Sequence, residues 1–366
     1  MFRFICNKVF LKQDINKYPS LIRFLSNYPI NPNSFRVSYL INSCGLSEEK
    51  AISVSEKVQF QTPTKPDLVL NLFKNHDFPD THISKIIEKL PKLLQYDVDK
   101  TLKPKLEYFQ SLGLSGPDLA KVLSSDPLPL SISLEEQIKP SVDYLKSILQ
   151  TDSNVVSVLK RSVWVLMEKT QKSLAPNIEV LQSHGVPDSN ISKLLVTHPR
   201  SFLRSVQRFK EIVEEVKKME ADPTKYVFCK MFQRLASMSE SSKEVKFGVF
   251  KKWGWSDDMI LSVFKACPDC FAFSESTLMM KMDFLVHKMG CDPLLIAKNP
   301  EVLTYSMEKK LVPRYSVIQT LMSNGLVPKD LNKARLLTLS NQGFLEKFVT
   351  KFENEVPELV NVYQGK

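Results

Sequence analysis

Reactive side chains are few in this sequence and far apart. The closest pair of thiols is Cys267-Pro-Asp-Cys270, a C-x-x-C spacing that can bind zinc or exchange disulfides. A structural zinc needs four ligands, and neither a second such pair nor a nearby histidine completes the set. Dithiol exchange of the thioredoxin type calls for a βαβ setting, which the surrounding pattern lacks. Cys267 stands before a proline and Cys270 before Phe271, so both are expected to be small buried residues. The histidines, at 76, 82, 184, 198 and 287, fall mostly beside helix ends or breaks, where capping or solvated roles are usual. The phosphate-binding, dinucleotide-binding, zinc-protease and nucleophile-elbow motifs are all absent. The sequence therefore predicts no catalytic residue, no metal and no cofactor, and the chain is read as a non-enzyme.

What remains is positive charge. The formal net charge is +10, and half of it lies in residues 1–46, which carry six basic residues against Asp14 alone. From Lys193 to Lys210 there is no acid, and Arg200, Arg204 and Arg208 are spaced by four, with Lys210 beyond them. On a chain running straight from turn to helix, these guanidiniums would form one stripe matched to a row of phosphates. Lys246, Lys251 and Lys252 follow, and then Lys309, Lys310 and Arg314. These ten cations are the candidate phosphate contacts. Trp164, Trp253 and Trp255 could stack on planar ligands. They lie in a break or beside a corner, however, so packing is the expected role.

The elements that must position these groups are legible as a repeat. Lys85-Ile86-Ile87-Glu88-Lys89-Leu90-Pro91-Lys92-Leu93-Leu94 is a helical apolar pattern that meets a proline and then resumes. Proline in a helix interior costs about 3 kcal/mol, through a lost N–H and a ring clash. The same break recurs with Pro127, Val163, Pro199, Phe232, Pro268 and Pro300 in the slot, at intervals of 32 to 36 residues. A second mark runs in phase. Gly45, Gly113, Gly185, Gly254, Gly290 and Gly325 stand at helix ends, where a left-handed residue is needed. Asp77, Leu149 and Glu220 fill that place in the other units. A third mark, Pro104, Pro140, Pro176 and Pro313, opens the longer helix, with Lys281 in the equivalent place of its unit and Pro313 read as about a turn early.

Each unit is thus a helix of about ten residues, a break, a longer helix and a corner, with apolar residues recurring at three and four. Such a unit buries its stripe only by stacking on neighbours. The prediction is an all-α fold, an α-solenoid of about nine repeats over residues 36–345, with no internal linker and with residues 346–366 as a C-terminal cap. Residues 1–35 are basic, amphipathic and almost free of acid, which reads as an organelle transit peptide. The cysteines, six in number and scattered, indicate a reducing compartment. No apolar run is long enough to span a membrane.

A helix ending in Pro-x-x-Leu, then a second helix, at a period near 35 resembles the mitochondrial transcription termination factor (mTERF) family. The wording of SYLINSCGLSEEKAISVSEKV, KPDLVLNLFKNHDFPDTHISKII and VPELVNVYQGK is closest to its land-plant members. The resemblance implies repeats of two α-helices and a short 3₁₀ turn, curved into a half-ring with a basic concave side. It also implies an organellar, nucleic-acid-binding protein that regulates gene expression. The expected partner is double-stranded DNA of the mitochondrion, the chloroplast being the alternative. RNA binding in intron splicing or ribosomal RNA maturation, and a scaffold that docks a protein, are the other readings. The chain is expected to be monomeric.

Overall fold

The structure is a computed structural model, and it describes residues 32–328, 331 and 336–364. The expected transit peptide therefore lies outside the described residues, apart from the few at its end. Among the described residues every regular element is helical. The chain divides into two compact units. The first runs to Tyr144 and includes Thr151–Leu166, and the second comprises Leu145–Gln150 and the chain from Met167 onwards.

Within each unit the repeat takes the form its punctuation demands. In the first, helix Asp80–Lys89 stops at Leu90, which leaves the helical region (φ −134°, ψ 67°), and Pro91 opens a 3₁₀ turn, Pro91–Gln95. The residue before a proline is pushed out of the α region by the pyrrolidine ring, which is why the stop falls there. Turns follow the same rule at Leu128–Ser131, Pro199–Leu203, Pro268–Ala272 and Pro300–Thr304. The residue three after the slot returns to the core: Leu94, Leu130, Phe202, Phe271 and Leu303 are all fully buried. Burial of such a side chain contributes about 1.5–3 kcal/mol.

The two slots without proline behave differently. Val163 still opens a 3₁₀ turn, Val163–Leu166, behind the extended Ser162. At Phe232 there is no break: helix Tyr226–Ala236 passes through the slot. Phe232 keeps its N–H and has no ring to clash with the preceding turn, so nothing local stops the helix.

After each of the five turns at a proline slot come one extended residue and then an N-cap, whereas Met167 directly follows the turn Val163–Leu166. Asp97, Ser133, Ser205, Ser274 and Ser306 accept from the backbone N–H three residues on, at 2.9–3.4 Å. Each lies six residues after its slot, a mark the sequence reading passed over. Pro104, Pro140 and Pro313 stand in the first turn of α-helices Lys103–Ser111, Lys139–Leu149 and Val312–Ser323, as expected. Each lies behind a wider helical turn and seven residues beyond the N-cap, whereas Pro176 lies inside helix Glu168–Ser183. The turn before each proline is widened, with bonds spanning five residues such as Ile138 N to Ser133 O (3.0 Å) and Leu311 N to Ser306 O (3.0 Å). That widening accommodates a residue with no N–H. Pro313 lies thirteen residues after its break proline, as Pro104 and Pro140 do, and not a turn early.

The corners carry left-handed residues. Asp77 (φ 61°) and Glu220 (φ 57°) take the glycine conformation as expected, but in the remaining unit the residue is Gln150 (φ 65°), not Leu149. Leu149 is buried, and the apolar side chain is retained for the core while the polar neighbour takes the corner.

One long-range contact joins successive repeats. Near the middle of each longer helix a polar side chain turns inward and donates to the carbonyl that ends the next repeat's turn. Lys105 Nζ reaches Leu130 O at 2.7 Å, Ser141 Oγ reaches Leu166 O at 3.4 Å and Asn177 Nδ2 reaches Phe202 O at 3.0 Å. Lys246 Nζ reaches Phe271 O at 2.6 Å, and Lys281 Nζ reaches Leu303 O at 2.6 Å and Tyr305 O at 2.8 Å. Arg314 Nη1 closes the series on Leu337 O (2.8 Å) and Leu339 O (2.7 Å). Carbonyls at the end of a 3₁₀ turn have no partner along the chain, and buried ones must find a donor elsewhere. In the unit before the unbroken helix, the equivalent position is the apolar Val213. There is no turn for it to cap. Beyond residue 340, Phe344, Phe348, Val349, Val356 and Leu359 pack with Val317, Ile318 and Leu321 of helix Val312–Ser323.

Candidate nucleic-acid interface

The ten candidate cations divide sharply in this fold. Arg200, within the turn Pro199–Leu203, is exposed, as are Lys210 and Lys309. None of the three makes a side-chain ion pair or hydrogen bond among the described residues. Lys251 and Lys252 are also exposed and pair with Asp257 (2.7 Å) and Glu275 (3.7 Å). Exposed pairs of this kind contribute about 0–1 kcal/mol, so a phosphate could displace either carboxylate.

The arginine stripe does not form. Arg204 (φ −80°, ψ 158°) and Ser205 (φ −57°, ψ 143°) are extended, so the turn does not run straight into helix Val206–Lys218 and the spacing of four loses its helical meaning. Arg204 turns inward and donates to the Ala236 carbonyl, at the C-terminal end of the unbroken helix. Burial, with the positive charge of Arg208 behind it, lowers its pKa. Arg208 remains at the surface but is held by Glu211 (3.1 Å) and Glu240 (3.4 Å), and the Glu211 hydrogen bond raises its pKa.

Three further candidates are engaged within the fold, Arg314 and Lys246 as donors and Lys310 against a ring. Arg314 has no exposed surface at all, and its guanidinium also donates to Asn341 Oδ1 (2.8 Å) and lies 4.6 Å from the Phe344 ring. A group with no solvent contact cannot meet a phosphate, so Arg314 leaves the candidate set. Lys246 is half-buried on the Phe271 carbonyl, and burial lowers its pKa. Lys310 lies half-buried over the Tyr305 ring at 3.2 Å, with its pKa lowered to about 8 by burial and by the nearby Arg314.

The acid-free stretch has a feature that the cation count missed. Lys193, Thr197, His198, Tyr226, Lys230, Gln233 and Asp269 line an open pocket of about 320 Å³. The Lys193 ammonium sits 4.1 Å from the Tyr226 ring centroid, and Lys230 pairs with Asp269 at 2.7 Å. Tyr226 follows Lys193 by one repeat period, 33 residues, and that interval was the available signal.

The aromatic and reactive residues also sort themselves. Trp255 is buried and stacked on Phe250 (4.7 Å, 3°), its Nε1 donating to Pro293 O at 3.1 Å, as the packing role requires. Trp164, expected to pack, is 44% exposed. His76 and His184 do cap helix ends, each with Nδ1 on a carbonyl four residues back, at 2.9 and 2.7 Å. Cys270 is buried, but Cys267 is only half-buried, which corrects the expectation for that residue. Among the described residues no group of three His, Cys, Asp or Glu side chains is placed to hold a metal.

The fold and these surfaces define a solenoid-type, all-α helical-repeat protein whose candidate binding groups are exposed cations and not a reactive cleft. The mTERF family model matches residues 70–225 and again residues 204–345, and the chain belongs to the mTERF family. No curated protein matches it. Membership points to organellar nucleic-acid binding in the regulation of transcription. Among the described residues no helix is long and apolar enough to cross a membrane.

Proposed function

We propose that this protein binds double-stranded DNA of the mitochondrion and regulates its transcription, through phosphate contacts made by exposed cations on the second unit. The observation that carries the reading is the acid-free segment 193–210, in which Lys193, Arg200 and Lys210 all stay exposed while Arg204 turns inward. Lys193 and Lys230 add the pocket beside it, and Lys251, Lys252 and Lys309 supply further charge on later repeats. Contacts of this kind fix a duplex without reading its sequence, and their strength falls steeply with salt.

The test is anisotropy of the full chain on a labelled DNA duplex and on a structured RNA, each as a function of salt. Lys193→Glu with Arg200→Glu and Lys210→Glu should weaken duplex binding at least tenfold. The same variant should flatten the salt slope by about 2–3, at roughly 0.9 per phosphate contact on B-DNA. Its circular dichroism should be unchanged, since none of the three is a structural donor. An unchanged affinity and slope would refute the site, and tighter binding of the RNA would replace DNA as the target.

A further inference from the structure

The pair Cys267 and Cys270 was set aside in the sequence because no zinc set or βαβ frame surrounds it. The fold supplies a different setting. Cys267 ends helix Asp257–Ala266 and Cys270 lies in the 3₁₀ turn Pro268–Ala272. The Cys270 N–H donates to the Cys267 carbonyl at 3.2 Å, which closes an i to i+3 turn. Cys267 itself lies outside the helical region (φ −143°, ψ 76°), and the turn folds Cys270 back beside it. A disulfide needs Cα atoms about 4.4–6.8 Å apart, a span that such a turn provides.

The Cys270 side chain turns back onto Cys267: its Sγ donates to the Cys267 carbonyl at 3.0 Å. The neighbouring Cys270 thiol is the first cause of a Cys267 pKa lowered to about 7, against opposition from burial and from the carboxylates of Asp269 and Glu301. Cys270 is fully buried, and burial raises its pKa. Asp269, between the two cysteines, is paired with Lys230 (2.7 Å) and Arg234 (3.2 Å). One half-buried, acidic thiol across a single turn from one buried thiol is the arrangement of an attacking and a resolving cysteine.

We propose that Cys267 and Cys270 form a reversible dithiol–disulfide site, oxidised by a low-molecular-weight disulfide such as glutathione disulfide. The Cys267 thiolate attacks one sulfur of the oxidant and expels one glutathione thiolate, leaving a mixed disulfide on Cys267. The Cys270 sulfur, giving its proton to solvent, then attacks the Cys267 sulfur and expels the second glutathione. Two protein thiols are oxidised by two electrons and one disulfide is reduced to two thiols. Cys44, Cys229 and Cys291 are buried elsewhere and do not enter the step.

The experiment exposes the full chain to graded ratios of glutathione disulfide to glutathione, quenches with acid, blocks free thiols and measures intact mass and peptide maps. The wild type should lose about two mass units, two hydrogens, with the link mapped to Cys267–Cys270. Cys270→Ser should stop at a glutathione adduct on Cys267, and Cys267→Ser should leave Cys270 unmodified. Alkylation of Cys267 should show a midpoint near pH 7. Failure of the wild type to lose two hydrogens at any ratio would overturn the proposal, and this arm needs no variant to fold. A link that maps to other cysteines, or equal adduct formation on Cys270 without Cys267, would overturn it too.

Discussion

Replacing Arg314 by methionine separates the two roles that its sequence position suggested. The guanidinium is fully buried and donates to Leu337 O, Leu339 O and Asn341 Oδ1 at 2.7–2.8 Å. Methionine keeps the apolar stem and the contact with Phe344 but removes every donor. Hydrogen bonds from a charged group contribute about 1.5–3 kcal/mol each, and a buried carbonyl left without a partner costs about 1–3 kcal/mol. Against these stands the desolvation of the guanidinium, which burial shows by lowering the Arg314 pKa and which the variant no longer incurs. The net loss expected is about 3 kcal/mol, or a fall in Tm of roughly 6–12 °C for a unit of this size. In a repeat stack the damage stays with the nearest neighbours. Hydrogen exchange should therefore accelerate in residues 336–363 and helix Val312–Ser323, with the first unit unaffected. Nucleic-acid affinity of the folded protein should not change. An unaltered midpoint with normal protection of that segment would refute the structural assignment. So would a loss of affinity in a variant that remains fully folded.

Two further outcomes follow from single residues. Glu220→Gly should stabilise the second unit by about 1 kcal/mol in urea unfolding, because Glu220 holds φ 57° and a left-handed non-glycine residue costs about 1–2 kcal/mol. Its pair with Lys265, long at 3.7 Å and exposed, takes little of that away, and no change or a loss would count against the corner. For Lys310, the folded pKa of about 8 lies below the ordinary lysine value, so between pH 8 and 10.5 the unfolded chain binds more protons and stability rises with pH. The wild type should gain stability relative to Lys310→Met between pH 7 and pH 9, and a constant gap between their unfolding midpoints would refute the assignment.

The parts of the fold that could be read from the sequence are those set by a residue's own backbone. Pro91, Pro127, Pro199, Pro268 and Pro300 lack an N–H and crowd the residue before them, so each break falls where the proline stands whatever surrounds it. Gly113 and Gly185 adopt φ 91° and 80° for an equally local reason. Where the punctuation is weaker the reading slipped. Phe232 sits inside a helix because it has an N–H and no pyrrolidine ring to stop it, and the left-handed residue beside Leu149 is Gln150 because packing keeps Leu149 in the core.

The candidate site was far less legible, and its cations show why. Lys105, Lys281 and Arg314 read in one dimension like Arg200, Lys210 and Lys309, yet the first three are buried donors and the last three face solvent. What distinguishes them is an acceptor carbonyl 22–25 residues away on the next repeat, which exists only once the repeats are stacked. The two cysteines follow the same logic. Their spacing is in the sequence, but the turn that folds Cys270 back onto Cys267, and the burial that makes one thiol differ from the other, come from the packed structure. The sequence by itself determined where a helix stops at a proline or turns at a glycine, because those limits are written in covalent geometry. Only the tertiary structure decided which charges meet solvent, because desolvation depends on neighbours that the chain supplies a repeat later.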